Sequence, residues 1–480
     1  MLRFIDILKK FFSRIEIVFI SVLCLALMYS IFLIIFRPPE ILLMGFYLFF
    51  CCISILVTYF IRIPLKNSRI IVRVLFIVSV AWLIRITVSY YLELTQKGDY
   101  GVYLSVARKL SEGSFKHKLY YGIFPHALNY PIFLAGLYKL AGNHVWLVSC
   151  INIVCGLIEA GCTAAIAEKS TGKNFGLIAG LAVALNPSII IFTNFAGGEP
   201  VYSALTMAAL LCFICIIKNN HKTGIIFTVL TGVICGMGNF FRPTGVVFII
   251  ACAIILLLFD SGRLKIRLIR TIVLIASYAV IVFMSGKVTQ HFSGYGKPSY
   301  GFGWNLYVGA NAGSMGLWSA ADSDEFLRVE LKKRDASQVL IHFAKEGLNR
   351  YYAMKTGIVT HFVNKLSLWF DESFVAKSVT GWQNNNTIFK SKEIVQSYAL
   401  ICFSYNLFVV AGALIAMIYV GISKKPPLAL KAASIYMLGS VLVYMILEAS
   451  RRYKGSYYSM LTLLGAYSMY LILDKLRRRV

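Results

Sequence analysis

The sequence predicts an all-α polytopic membrane protein of about twelve transmembrane helices, and three observations carry that expectation. Hydrophobic residues make up 58% of the 480 residues, charged residues only 14%, and mean hydropathy is +0.72, more apolar surface than a soluble fold can hide. Apolar runs of about 20 residues, the length that crosses a bilayer as a helix, recur along the chain. Lysine and arginine gather in alternate loops between those runs, as they do on the cytoplasmic side of membrane proteins.

The expected spans are 16-36, 41-61, 70-91, 144-166, 176-195, 200-218, 224-240, 245-260, 268-286, 398-420, 428-447 and 456-474. The first apolar run, after Arg14, continues for a full span with no distinct small-residue cleavage site, so it reads as a retained helix. Pro38, Pro39, Pro64, Pro200, Pro243, Pro426 and Pro427 fall at or near proposed ends, where a missing N–H costs little. Pro187 lies inside its span and is expected to kink it. Residues 92-143 and 287-397 do not cross. The chain thus divides into two N-terminal spans (1-69), a transmembrane core (70-286) with a first outer loop at 92-143, an outer-face loop region (287-397) rich in Gly, aromatics and Asn, and C-terminal spans (398-480).

Orientation follows from the short loops. Arg3, Lys9, Lys10 and Arg14, then Arg62, Lys66 and Arg69, Lys169 and Lys173, Lys218 and Lys222, Arg263 to Arg270, Lys424 and Lys425, and Lys475 to Arg479 all fall on one side. Both termini are therefore expected in the cytoplasm, and the two long loops on the outer face. The formal charge of +27 is accounted for by this topology and by anionic headgroups near the cytosolic helix ends. It is scattered over many loops and forms no single basic face, so no nucleic-acid partner is expected.

All eleven cysteines lie inside proposed spans, so no disulfide framework is expected, and Cys212-x-x-Cys215 reads as small packing residues in an apolar helix. No metal is assigned: there is no H-E-x-x-H, and the pattern gives a divalent cation no support. No cofactor is expected. Thr171-Gly172-Lys173-Asn174 lacks the upstream glycine and the hydroxyl of a phosphate loop, so no ATP site is visible and a primary pump is disfavoured. Synthetic work on the outer face would need a substrate that arrives already activated.

The candidate chemistry centres on Lys97-Gly98-Asp99-Tyr100, where the span 70-91 should emerge from the membrane. A carboxylate there is dry enough to be tuned and wet enough to meet a polar substrate. Glycosidases need an acid and a base flanking the bond, but a sugar phosphate already carries a good leaving group, so one base acting on the acceptor hydroxyl suffices for displacement. Cations to hold the phosphate are at hand in Arg85 within the span 70-91, Arg242 in Phe240-Phe241-Arg242-Pro243, and Arg451-Arg452-Tyr453. Guanidinium suits bidentate phosphate binding, although headgroup snorkelling is the alternative use. Arg85 at mid-bilayer costs on the order of 2.5–3.5 kcal/mol unless paired or wetted. Glu159, lower in its span, is either a proton-relay residue or a partner for a neighbouring helix.

The run from Arg85 through Asp99-x-x-x-Tyr103-x-x-x-Ala107-x-x-Leu110-x-x-Gly113, followed by Pro125 and Tyr130-Pro131-Ile132-Phe133-Leu134-Ala135-Gly136-Leu137-Tyr138, resembles the first outer loop of GT-C superfamily glycosyltransferases. Within that superfamily it is similar to the protein O-mannosyltransferase and aminoarabinose-transferase branch, called family 39-like. Asn186-Pro187 ahead of Gly198-Glu199-Pro200-Val201-Tyr202 is similar to that family's short outer loop. Gly303-Trp304-Asn305-Leu306-Tyr307-Val308-Gly309-Ala310-Asn311, with Gly316-Leu317-Trp318 and Asp322 beyond, resembles the start of its large outer region. Glu448-x-x-x-Arg452-Tyr453 resembles its late outer helix end.

The resemblance covers most of the chain from about residue 70 onward. It implies a GT-C-like fold with outer juxtamembrane helices, Tyr130-Pro131 belonging to one of them, and an inverting transfer of a hexosyl or pentosyl group from a polyprenyl-phosphate sugar. Asp99 would be the catalytic base, and Arg85, Arg242 and Arg452 would hold the donor phosphate. Glu199, Tyr103, His126, Tyr130, Asn305, Asn311, Glu448 and Tyr453 would contact substrate. The expected partners are the lipid-linked donor, membrane lipids and a cell-envelope glycan, lipid or protein acceptor, in a bacterial plasma membrane. Many relatives carry two adjacent acids in the first loop, whereas here Gly98 precedes Asp99 and Tyr100 follows it.

Competing readings of single residues remain. Asp99 also suits a helix N-cap, Glu199 a helix-start acid beside Pro200, Trp304 and Trp318 interfacial anchors, and Asn305 and Asn311 plain turn geometry. A transporter or flippase of lipid-linked sugars also carries about a dozen helices with intramembrane charge, but it predicts paired repeats that are not visible. An outer-face glycan polymerase or ligase would share the donor but not the early Asp loop.

Overall fold

The computed structural model describes residues 68–477 except 93, 219–220, 296–300, 334, 370, 373, 376–377 and 379–391. The expected spans 16-36 and 41-61 lie outside the described residues. Within them the protein is helical, with no β-strand.

Among the described residues seven helices are long and apolar enough to cross a membrane, and the chain is an integral membrane protein. In chain order the elements are α1 (Ile70–Tyr91), α2 (Gly98–Ser111), α3 (Leu119–Ile123), α4 (His126–Ala141), α5 (Trp146–Thr171), α6 (Lys173–Ala184), α7 (Pro187–Phe192), α8 (Glu199–Lys218), α9 (His221–Phe241) and α10 (Gly245–Ile254). They continue as α11 (Leu264–Ser293), α12 (Phe302–Gly309), α13 (Ala320–Lys333), α14 (Ala336–Ala353), α15 (Gly357–Ser367), α16 (Lys392–Ile422), α17 (Leu428–Ile446), a 3₁₀ turn (Arg451–Ser456) and α18 (Tyr458–Arg477). The long apolar set is α1, α5, α8, α9, α11, α16 and α17.

Of the expected spans, 176-195, 245-260 and 456-474 do not appear in that set. The first is broken. Asn186 is extended (φ −64°, ψ 114°), as the residue before a proline prefers, and Pro187 takes the first position of a new helix. The Asn186 side chain accepts from the Ser188 and Ile189 N–H groups at 3.0 and 3.2 Å, so proline and cap start α7 where a kink was expected. The second is α10, which runs into a π-helical turn (Ile255–Phe259) and stops at Asp260. The third is the helix α18, whose C-terminal part carries Asp474 and Lys475.

In the bundle α8 packs on α9, α9 on α11, α5 on α6, α1 on α5, and α16 on α18. Two buried apolar clusters result, one among α8, α10 and α16 to α18, the other beneath α2 to α4, α7 and α12 to α14. The segments between spans fold into shorter helices. Within residues 287–397 α12 packs on α14, and within residues 92–143 α2 packs on α4. Asn129 of α4 ties the loop to the spans, donating to Phe240 O at 2.6 Å and accepting from the Thr289 hydroxyl at 2.6 Å.

The break at Asn186 also explains an intramembrane charge. Arg85 is fully buried and donates to Ala184 O at 3.1 Å and Ala81 O at 3.3 Å. The Ala184 carbonyl sits in the last turn of α6, where helix C=O groups lack intrahelical partners. Glu159 of α5 is near enough to act on the arginine electrostatically and accepts a hydrogen bond from Ser459 of α18. Room for the guanidinium comes from Gly156, where a Cβ would overlap it. Gly156→Val should therefore lower the unfolding temperature in detergent, at a cost of about 1–3 kcal/mol typical of overpacking, with Gly156→Ala intermediate; unchanged melting of both would contradict this packing.

Candidate active site

The site is assembled from helix ends. Gly98 has φ +56°, in the left-handed region where a side chain is strained. This turn admits α2 with Asp99 in its first helical turn, which gives the glycine ahead of the acid a structural reason. Gln96 fixes the approach to that turn. Its amide donates to Asn194 O at 2.8 Å and accepts from Ala196 N at 3.0 Å, tying the first loop to the loop before α8. Asn152 of α5 holds the same loop by donating to Thr193 O and Phe195 O at 3.1 and 2.8 Å. Asp99 and Glu199 are thereby held at neighbouring helix starts. Buried Tyr100 lies between them, stacked on Phe195 with ring centroids 5.3 Å apart and its hydroxyl donating to Glu199 at 3.2 Å.

Two arginines face these acids. Arg242, just past α9, pairs with Glu199, whose side chain is 2% exposed. Arg452, in the 3₁₀ turn after α17, pairs with Asp99, whose side chain is 51% exposed. Both guanidinium groups lie against the Tyr453 ring, at 4.7 and 5.6 Å from its centroid. The turn carrying Arg452 is anchored on both sides of it. Arg451 pairs with Asp371, and Lys454 donates to Glu372 at 2.7 Å and to Asp371 O at 2.6 Å. Glu372 is itself buried and accepts from Tyr458 and Ser188.

A cavity of about 540 Å³ opens at this junction, within the range that holds a small-molecule ligand. One wall is charged: Asp99, Arg242, Arg452, Glu448 and Tyr453. Aromatic rings also line the cavity, from Tyr120 and Phe124 of the first loop and Phe302, Trp304, Trp318 and Phe326 of residues 302–326, with His126, Thr244 and Asn305 among the other lining residues. The Arg452 guanidinium holds the Asp99 carboxyl below the usual carboxylate range, with burial opposing it. Burial pushes the Glu448 carboxyl up to about 7, against the pull of Arg452. Burial pushes the His126 imidazole down to about 4, so it is neutral near pH 7, and its Nδ1 has no hydrogen-bond partner among the described residues.

The structure thus brings together Asp99, Arg242, Arg452, His126, Asn305, Glu448 and Tyr453. The other candidates named from the sequence stand elsewhere. Glu199 is the counter-ion of Arg242 and does not line the cavity, and Tyr103 and Tyr130 pack against each other with ring centroids 6.1 Å apart, also outside the lining. Asn311 accepts from Ser314 N and donates to Asp322 at 2.7 Å, closing a turn that Arg350 braces through Asp322. Arg85 is occupied by backbone carbonyls within the bundle. The lining residues Tyr120, Phe124, Thr244 and Phe326 are not conspicuous in the sequence; the aromatic run Tyr120-Tyr121 ahead of Phe124-Pro125 is the one available signal.

Buried Lys365 of α15 joins α12 to the cavity wall, donating to Gly309 O at 2.9 Å and Leu447 O at 2.7 Å. Burial lowers its amine from 10.5 to about 7. Between those values the unfolded chain binds more protons than the folded one, so stability from this site rises with pH across that window. Lys365→Met should flatten that part of the pH profile of thermal unfolding in detergent; a variant that keeps the rise would contradict the assignment.

Residues 125–286 match the family model described as dolichyl-phosphate-mannose-protein mannosyltransferase, a GT-C family, so the resemblance drawn from the sequence holds over that segment. The matched stretch contains His126, Glu199 and Arg242. No curated protein matches the chain in sequence. Among solved structures, the chain is similar to the oligosaccharyltransferase of Archaeoglobus fulgidus in the apo form (TM-score 0.47, 13% identity, 86% of this chain and 51% of that one). It is similar also to the same archaeal enzyme, AglB, in complex with an inhibitory peptide and a dolichol-phosphate (TM-score 0.45, 12% identity, 85% and 51%). A further similar structure is ArnT from Cupriavidus metallidurans bound to undecaprenyl phosphate (TM-score 0.35, 12% identity, 83% and 77%). The chain spans about half the length of the archaeal enzyme.

Proposed function

We propose that this protein is an inverting glycosyltransferase that moves a sugar from a polyprenyl-phosphate-linked donor to an acceptor hydroxyl or amine on the outer face of the membrane. The observation that carries the reading is the convergence of one half-exposed carboxylate, two guanidinium groups and an aromatic wall in one cavity at the ends of apolar helices. The family match over residues 125–286 supports the same reaction class.

The parts divide the work. Arg452 and Arg242 hold the donor phosphate, Arg452 more readily because its partner sits in the cavity wall. The aromatic wall packs on the sugar. Asp99 accepts the acceptor's proton as its oxygen or nitrogen bonds to the anomeric carbon. The bond from that carbon to the phosphate oxygen breaks, and polyprenyl phosphate leaves with the electron pair. Attack opposite the leaving group inverts the carbon. An outer-face site is supported by charge: Arg242 just past α9 and Val443 and Tyr444 of α17 line the cavity, and the same helices carry Lys222, Lys424 and Lys425 at or near their other ends.

The test is to incubate the purified protein with polyprenyl-phosphate donors labelled in the sugar and follow both release of polyprenyl phosphate and the anomeric configuration of the product. Transfer with inversion is expected. Retained configuration would remove the single-displacement mechanism. Absence of transfer, together with passage of labelled lipid-linked sugar across protein-containing liposomes, would favour a transporter.

A further inference from the structure

The two arginines of the cavity are held differently, and the difference bears on when Asp99 can act as a base. Arg242 is paired with Glu199, a carboxylate almost fully withdrawn from solvent and held in place by the Tyr100 hydroxyl. That partner cannot swing away without leaving a buried charge unpaired, a costly state. Arg452 is paired with Asp99, which is half exposed and lines the cavity itself. An anion entering the cavity therefore competes with Asp99 for Arg452 far more easily than with Glu199 for Arg242.

The backbone around Arg452 is fixed by the Arg451–Asp371 and Lys454–Glu372 pairs. Exchange of partner is then a movement of the Arg452 side chain, with the turn held in place. The Tyr453 and Tyr100 rings, each 5.6 Å from the guanidinium carbon, offer it a surface in either position.

We propose that Arg452 is a donor-operated switch on Asp99: in the empty site it masks the carboxylate, and the phosphate of the donor draws it off and frees Asp99 to take the acceptor's proton. This rests on the glycosyltransferase reading and gives it an order, donor before acceptor. A masked carboxylate is a weak base because its charge is already shared with a guanidinium. The unmasked one is released from its direct guanidinium contact, with Arg242 left to act on it only at longer range. Proton abstraction is thus confined to sites that already hold a donor.

The switch makes a prediction at both members of the pair. If Asp99 and the donor phosphate compete for Arg452, then Asp99→Asn removes the competitor. The variant should bind polyprenyl phosphate more tightly than the wild type, on the order of fivefold, the scale of a partly exposed ion pair. The measurement is equilibrium binding of a short-chain polyprenyl phosphate to detergent-purified wild type, Asp99→Asn and Arg452→Gln, with monodispersity and thermal unfolding checked for each. Tighter binding by Asp99→Asn together with weaker binding by Arg452→Gln supports the switch. Equal or weaker binding by Asp99→Asn overturns it while leaving the glycosyltransferase reading intact. Binding to none of the three folded proteins would remove both.

Discussion

Replacing Asp99 by asparagine is expected to lower sugar transfer by about 10²–10⁴-fold, the usual worth of a positioned general base. Asparagine keeps the shape of the side chain and its place in the first turn of α2, and a half-exposed group tolerates the change without a packing defect. The loss should therefore fall on the chemical step, read as a drop in kcat with donor binding retained or improved. Because the Arg452 pair holds the Asp99 carboxyl below the usual range, the group is already ionised near neutrality, and lowering the pH moderately should not mimic the variant. A residual rate close to wild type would show that another group takes the proton. Glu448, in the same cavity with its carboxyl pushed up to about 7, would be the first to examine.

Arg452→Ala has the second large effect. The guanidinium touches Asp99 and the cavity at once, and a charge-assisted hydrogen bond to a phosphate is worth about 1.5–3 kcal/mol. Donor kcat/KM should fall by roughly 10–100-fold. Lysine at this position should recover only part of the loss, since an ammonium cannot make the forked contact of the guanidinium that stands over Tyr453 and Tyr100. Arg451→Ala tests the anchor of the same turn, which Lys454 still holds through Glu372. The partner of Arg451 is Asp371, outside the cavity lining, so donor affinity should change far less. Equal losses for the two neighbours would mean that the turn as a whole is being disturbed.

The pair Arg451 and Arg452 shows what the sequence can and cannot say. Two adjacent arginines after an apolar helix mark a cationic helix end, but only the 3₁₀ turn sends one to Asp371 and the other to Asp99. Asp99, Arg242, Glu448 and Tyr453 could be picked out because a charged or aromatic residue at the edge of an apolar run is conspicuous against its surroundings. Arg85 is equally conspicuous, yet its partners are backbone carbonyls at the end of α6, which become available only when the chain breaks before Pro187. Proline position alone suggests a kink. The cap by Asn186 turns it into a new helix.

The long apolar helices α1, α5, α8, α9, α11, α16 and α17 follow from hydropathy alone, since length and composition are local properties. The clamp by Gln96 and the tie through Asn129 depend on loops far apart in the chain, and no local pattern announces them. The aromatic wall falls between these cases. Each of its residues is ordinary in a membrane protein, and only the docking of α12 and α13 beside the first loop makes them one surface.

The measurement closest to the central claim is transfer of labelled sugar from a panel of polyprenyl-phosphate donors by wild type, Asp99→Asn and Arg452→Ala in one preparation, with folding verified for each. The account predicts transfer by the wild type with at least one donor, its collapse in Asp99→Asn despite retained donor binding, and loss of donor affinity in Arg452→Ala. Undiminished transfer by both variants, or a folded wild type that neither binds nor consumes any donor, would contradict it.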